Sequence, residues 1–291
     1  MAFNVEVFKT RALTAIAFAA IMLGGLITRN FPFLFILLFV IIHIGCWMEY
    51  QKLVGMIDVH YKEVSTLHKV GIIVVGLSLM LSRADDYVCW RDDRLNYLGV
   101  KVFFALLLLI FFYDVLMIIQ KKRRLKPEMY SLIGLTYISL SWGLMIDIRF
   151  NPIWQHNSLA FLFPIIIIAS IWINDTMAYI VGSFIGKTPL SKISPKKTWE
   201  GTVGGALIAI AVVTVVASRW MKVDWHIVLG ISSIAAIAGT FGDLLESKLK
   251  RMAGVKDSGQ IMPGHGGFLD RFDSLLLATP FVWLFLKLVM H

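Results

Sequence analysis

Residues 239–273, GTFGDLLESKLKRMAGVKDSGQIMPGHGGFLDRFD, put three kinds of chemistry into one stretch. Asp243 and Glu246 stand one helical turn apart, and Asp270 and Asp273 repeat that spacing. Lys248, Lys250, Arg251 and Lys256 lie between the two pairs, followed by Pro263-Gly264-His265-Gly266-Gly267. Carboxylates bind hard cations, lysine and arginine clamp phosphate oxygens, and glycine lets backbone approach an anion. A cap at a helix N-terminus accounts for a single aspartate. It does not account for a set of acids at two adjoining helix ends, which repel one another unless a cation neutralises them. Magnesium takes one or two protein carboxylates and completes its shell with water and substrate phosphates, so this pattern predicts a cation site that handles phosphates. His265 is either a hydrogen-bonded turn residue or a partner of a substrate phosphate or leaving group.

Two further groups precede this stretch. Asn174-Asp175-Thr176 lies inside an apolar run, where an ionisable group costs a few kcal/mol unless it meets a cavity or a partner. It reads equally as a polar clamp between helices and as a metal or nucleotide contact. Ser194-Pro195-Lys196-Lys197-Thr198-Trp199-Glu200-Gly201 offers adjacent ammonium groups and hydroxyls to a polyphosphate, and Gly201, Gly204 and Gly205 open the next helix. A helix start with little side-chain bulk leaves N–H groups for an anion, although the P-loop spacing is missing. The plainer alternative is a membrane-topology anchor followed by a closely packed glycine helix.

The elements that position these residues are membrane helices. Of 291 residues 58% are hydrophobic and 16% charged, against about 45–50% and about 25% in soluble domains. The chain is therefore expected to be an all-α, polytopic integral membrane protein. A ruler of about 20 apolar residues per crossing predicts about nine spans: 11–28, 31–49, 69–82, 98–120, 130–147, 159–182, 203–218, 226–244 and 272–290. With the N-terminus inside, Lys and Arg divide about 19 inside to 9 outside, as the positive-inside rule requires. Both loops with chemistry, 183–202 and 245–271, then face the cytoplasm, where nucleotide triphosphates are found. The formal charge of +9 fits cytoplasmic loops and anionic lipid heads rather than nucleic acid. The KKRR run at 121–124 reads as a topology anchor and the loop 83–97 as solvated. Cys46 and Cys89, one in an apolar run and one in a polar loop, predict no disulfide. The first apolar run lacks a persuasive cleavage site and reads as a retained helix. A natural division is 1–128, N-terminal transmembrane helices, and 129–291, a C-terminal transmembrane catalytic region.

The run Ser247-Lys248-Leu249-Lys250-Arg251, then Lys256-Asp257, then Pro263-Gly264-His265-Gly266-Gly267-Phe268-Leu269-Asp270-Arg271-Phe272-Asp273 resembles the signature of phosphatidate cytidylyltransferases, also called CDP-diacylglycerol synthases. The segments 174–176 and 194–201 look like the same family, whereas the N-terminal half offers no matching motif. The resemblance implies that CTP and phosphatidic acid give CDP-diacylglycerol and pyrophosphate in the inner membrane, on an enzyme that is a homodimer. It implies magnesium held by Asp243, Asp270 and Asp273, and it is compatible with K+ as a second cation. From their own side-chain chemistry, as a phosphate clamp and a leaving-group partner, Lys256 and His265 are expected to join those three acids as catalytic residues. Asn174, Asp175, Ser194, Lys196, Lys197, Lys250 and Arg251 are expected to bind substrate. Two alternatives remain at this point. One is a CTP-dependent transferase acting on another membrane lipid. The other is a phosphate or cation transporter, since intramembrane Asp and glycine-broken helices also mark transporters.

Overall fold

A computed structural model describes residues 19–26, 32–83, 126–151, 159–260 and 266–290. The described residues are helical throughout apart from turns and one isolated β-bridge between Pro189 and Thr198. We number the helices α1 (Pro32–Ile57), α2 (Val59–Lys62), α3 (Thr66–Leu81), α4 (Lys126–Gly134), α5 (Ser141–Phe150), α6 (Phe163–Ile185), α7 (Trp199–Trp220), α8 (Trp225–Met252) and α9 (Leu269–Val289). A π-helical turn, Leu135–Leu140, joins α4 to α5.

Six helical stretches among the described residues are long and apolar enough to cross a membrane: Phe33–Ile57, Glu128–Phe150, Phe163–Ile185, Trp199–Trp220, Trp225–Met252 and Leu269–Val289. They coincide with six of the expected spans. The expected span 69–82 is the 16-residue helix α3, shorter than a full crossing. The span 98–120, the run 121–124, Cys89 and all but the first residue of the loop 83–97 lie outside the described residues. So does most of 11–28, of which residues 19–26 are helical. Exposed Trp199 and Trp220 bracket α7. At 1.5 Å per residue they stand about 31 Å apart, the thickness of a bilayer core, with indole rings suited to its two interfaces. Large apolar side chains such as Leu207, Val215 and Phe281 point outward, as lipid contact requires.

One boundary differs from expectation. The segment after residue 244 is not loop: α8 runs on to Met252 and ends with Gly254 at φ 70°, the left-handed residue that commonly stops a helix. Its 28 residues make about 42 Å of helix, so an untilted α8 carries its last turns, Glu246 to Arg251, past the hydrocarbon. Helical i,i+4 spacing there lets Lys250 reach Glu246.

The chain divides into two compact units. The first comprises residues up to Asp147 together with Met252–Arg271, and the second comprises Ile148–Arg251 with Phe272–His291. In the first, a buried polar cluster fastens α1 to the π-turn. Ser139 Oγ lies 2.9 Å from His43 Nε2 and accepts from Trp47 Nε1 at 2.8 Å. Gly76 of α3 packs against the same hydroxyl, where a Cβ would overlap it. In the second, α6 and α7 cross through small residues. A Cβ on Gly201 would fall 2.6 Å from the Ala178 carbonyl oxygen, and one on Gly205 would fall 2.5 Å from the Ala178 nitrogen. The glycines that open α7 thus serve close helix packing.

Candidate active site

The second unit gathers charged groups from four elements. Residues 186–198 fold back between α6 and α7. Trp199 N–H donates to Thr188 O (2.9 Å), Leu190 N–H donates to Lys197 O (2.7 Å), and Lys197 N–H donates to Ser194 O (3.1 Å). Glu200, in the first turn of α7, accepts the N–H groups of Lys187 and Thr188, each at 3.1 Å, and so ties the start of the loop to its end. Thr198 caps α7, its Oγ1 accepting Gly201 N–H at 3.2 Å. The loop held in this way places the Lys197 ammonium in an ion pair with Asp243 Oδ2. Lys196 beside it is exposed, and Ser194 is half-buried.

Asp243 is set by its neighbour in sequence. A Cβ on Gly242 would stand 2.5 Å from the Asp273 carbonyl oxygen and 2.9 Å from Ser274 Cα, so α8 and α9 meet backbone to backbone here. Asp273 is buried, with Oδ1 accepting Ser274 N–H at 2.6 Å. It lies within electrostatic range of Asp243, Asp175 and Lys250, and Asp175 in turn senses Lys197 and Asp243. Lys250 forms an ion pair with fully buried Glu246. Asn174 bridges α6 to α8, Nδ2 to Thr240 Oγ1 at 3.5 Å. Its Oδ1 is buried with no hydrogen-bond partner. The clamp foreseen for this residue is present, and one polar atom is left over.

The first unit holds the other half of the acidic stretch. Asp270 Oδ2 accepts Ser258 N–H and Gly267 N–H, each at 2.8 Å, and lies 2.8 Å from the Ser258 hydroxyl. Gly266 adopts φ 80° beside this carboxylate, a conformation open to glycine at no steric cost. Lys256 is exposed in the same segment. Arg251, at the end of α8, is exposed in the second unit. His265 lies outside the described residues.

Sequence reasoning missed Glu49. This residue of α1 is buried, and it accepts Phe268 N–H (2.9 Å) and Leu269 N–H (2.8 Å); its Oε2 also lies 2.7 Å from the Ser258 hydroxyl, whose one proton it shares with Asp270 Oδ2. A Cβ on Gly259 or Gly267 would overlap its carboxylate. The available signal was an acid within the apolar run of a membrane helix, HIGCWMEYQK, which by default marks function. Glu200 stands in the sequence only as a member of the 194–201 run, and its clamp on the loop is a tertiary fact.

Among the described residues no group of three or more His, Cys, Asp or Glu side chains forms a ready-made metal cluster. Around Asp243, four carboxylates (Asp175, Asp243, Asp273 and Glu246) face two ammonium groups, Lys197 and Lys250.

The profile of the cytidylyltransferase family matches residues 9–289. The phosphatidate cytidylyltransferase of Bacillus subtilis (strain 168) is 32% identical over 286 residues, covering 96% of this chain and 98% of that protein. That of Staphylococcus saprophyticus is 32% identical over 283 residues, covering 94% and 96%. That of Synechocystis sp. is 42% identical over 145 residues, covering 47% and 48%. Similarity that runs nearly end to end, on a membrane scaffold that clusters acids with lysines, makes this chain a nucleotidyltransferase belonging to the phosphatidate cytidylyltransferase family.

Proposed function

We propose that the chain transfers the cytidylyl group of CTP to phosphatidic acid, releasing pyrophosphate and leaving CDP-diacylglycerol in the bilayer. A phosphate oxygen of phosphatidic acid attacks the α-phosphorus of CTP in line with the bond to the departing pyrophosphate. The nucleophile is already an anion and needs no activating base of the Ser-His or Cys-His kind. The obstacle is electrostatic, because two polyanions must meet.

The observation that carries this reading is the cluster of Asp175, Lys197, Asp243, Lys250 and Asp273, drawn from α6, the 186–198 loop, α8 and α9. Its carboxylates suit magnesium, which needs few protein ligands of this kind when substrate phosphates complete its shell. Asp243 and Asp273 would hold the ion, with Asp270, one turn earlier on α9, as the third acid. A bound magnesium supplies Lewis-acid stabilisation of the phosphate charge that develops during transfer; K+ is the second cation in this reading. Lys197, paired with Asp243 in this structure, would clamp a substrate phosphate if Asp243 held the ion. Lys196, Lys250, Arg251 and Lys256 clamp the remaining phosphate oxygens. Asn174 Oδ1 and Asp175 orient the nucleotide or the ion from α6, Ser194 donates its hydroxyl to phosphate, and His265 assists the leaving group. The site faces the cytoplasm in an inner-membrane homodimer whose N-terminus is also cytoplasmic.

The deciding assay is pyrophosphate release from CTP by detergent-purified protein. Release that requires both phosphatidic acid and magnesium supports the reading. Release without phosphatidic acid, or with a polyprenyl phosphate in preference to it, overturns the choice of acceptor.

A further inference from the structure

The N-terminal half carries no recognisable motif, yet one of its side chains holds the signature loop in place. We propose that Glu49 is a positioning residue for the reaction: it caps the start of α9 from a different helix and thereby fixes Asp270, an inference that rests on the reading of Asp270 as a cation ligand. The geometry is specific. Glu49 Oε1 takes Phe268 N–H and Oε2 takes Leu269 N–H, two donors that the first turn of a helix leaves unpaired. An anion is favoured there by the helix dipole as well. Ser258 joins this cap to Asp270, since its hydroxyl lies 2.7 Å from Glu49 Oε2 and 2.8 Å from Asp270 Oδ2. The glycines agree. Gly259 and Gly267 both pass so close to the Glu49 carboxylate that a Cβ at either would overlap it. Gly45, one turn before Glu49 on α1, leaves room for the Phe268 ring in the same way. Two glycines of the signature loop, one of them in the Pro-Gly-His-Gly-Gly run, are therefore explained by a carboxylate more than 200 residues away in sequence.

The test uses full-length protein in detergent and three variants: Glu49→Gln, Ser258→Ala and Asp270→Asn. Glu49→Gln keeps the shape but removes the charge and sets an amide donor among N–H donors. Partners that orient metal ligands typically contribute about 10–100-fold in metal affinity or activity. Glu49→Gln is thus expected to raise the half-saturating magnesium concentration about tenfold or more, with the KM for phosphatidic acid unchanged. It is also expected to speed hydrogen exchange at the amides of Phe268 and Leu269 while α6 and α7 stay protected. Ser258→Ala shifts both readouts in the same direction by less. If Glu49→Gln or Ser258→Ala lowers the melting temperature or the yield while magnesium dependence and exchange at 268–269 match wild type, Glu49 is only a structural residue and the inference fails. If Asp270→Asn turns over normally with unaltered magnesium dependence while Glu49→Gln still accelerates exchange, the cap stands and the ligand role of Asp270 is what fails.

Discussion

The replacement Gly242→Ala adds one methyl group where two helices touch. An ideal Cβ there would lie 2.5 Å from the Asp273 carbonyl oxygen, 2.9 Å from Ser274 Cα and 3.1 Å from the Asp273 carbonyl carbon, whereas ordinary contact begins at 3.4 Å. All three obstacles are backbone atoms, so no rotamer change relieves them. The shortfall requires α8 and α9 to move apart by roughly 1 Å, and overpacking of this kind costs about 1–3 kcal/mol. Alanine returns up to about 1 kcal/mol through its better helix propensity, which leaves a net loss of about 0–3 kcal/mol and a protein that still folds. Activity is hit harder. The residue that moves with Gly242 is Asp243, and its partner in charge, Asp273, sits on the other side of the contact. A misplacement of about 1 Å in a phosphoryl-transfer site costs on the order of a hundredfold in rate. The assay is the rate of pyrophosphate release per folded protein, with the melting temperature measured in parallel. Gly55→Ala is the control, because the Cβ there meets only Lys62 Cγ at 3.5 Å, an ordinary contact. A Gly242→Ala protein within about twofold of wild-type turnover would refute the reasoning, since the Asp243–Asp273 juxtaposition would then tolerate a displacement on the scale at which such sites fail.

Three other outcomes are expected. Asp270→Asn abolishes nearly all turnover while membrane insertion, followed by fractionation, is normal; full turnover with magnesium removes Asp270 from the site. Lys196→Ala, at an exposed lysine, raises the KM for CTP by about tenfold, the worth of one charge-assisted hydrogen bond, and unchanged CTP kinetics would exclude it from phosphate binding. Asp224, in the turn between α7 and α8, accepts His226 N–H at 3.0 Å, and this bond together with the His226 ring holds its carboxyl below the usual carboxylate range. A depressed folded-state value contributes stability above the ordinary carboxylate value that is lost as pH falls through the folded one. Asp224→Asn is therefore expected to melt below wild type at neutral pH, with the gap closing under acid conditions below about pH 4; a gap independent of pH would discount the ionised cap.

Local composition determined a good deal of this molecule. Apolar length alone placed six helices, because a bilayer about 30 Å thick demands about 20 apolar residues whatever the neighbours are. The side-chain types at Asp243, Asp273, Lys197 and Lys250 raised the phosphate and cation reading proposed above, since such groups are costly beside lipid unless they meet a partner or a cavity. The end of α8 was less legible. The charges after residue 244 look like a loop, whereas the helix continues to Met252 with Lys250 and Glu246 paired on one face. Tertiary structure alone decided which charges are neighbours. Lys197 and Asp243 are joined by a loop that Glu200 clamps, and Gly242 brings Asp243 against the start of α9. Glu49 is the extreme case: its partners lie 209 to 220 residues away. Spacing along a chain specifies what one helix face presents. It carries no information about which distant backbone N–H groups a buried carboxylate will meet, and that is settled only when the loop closes around it.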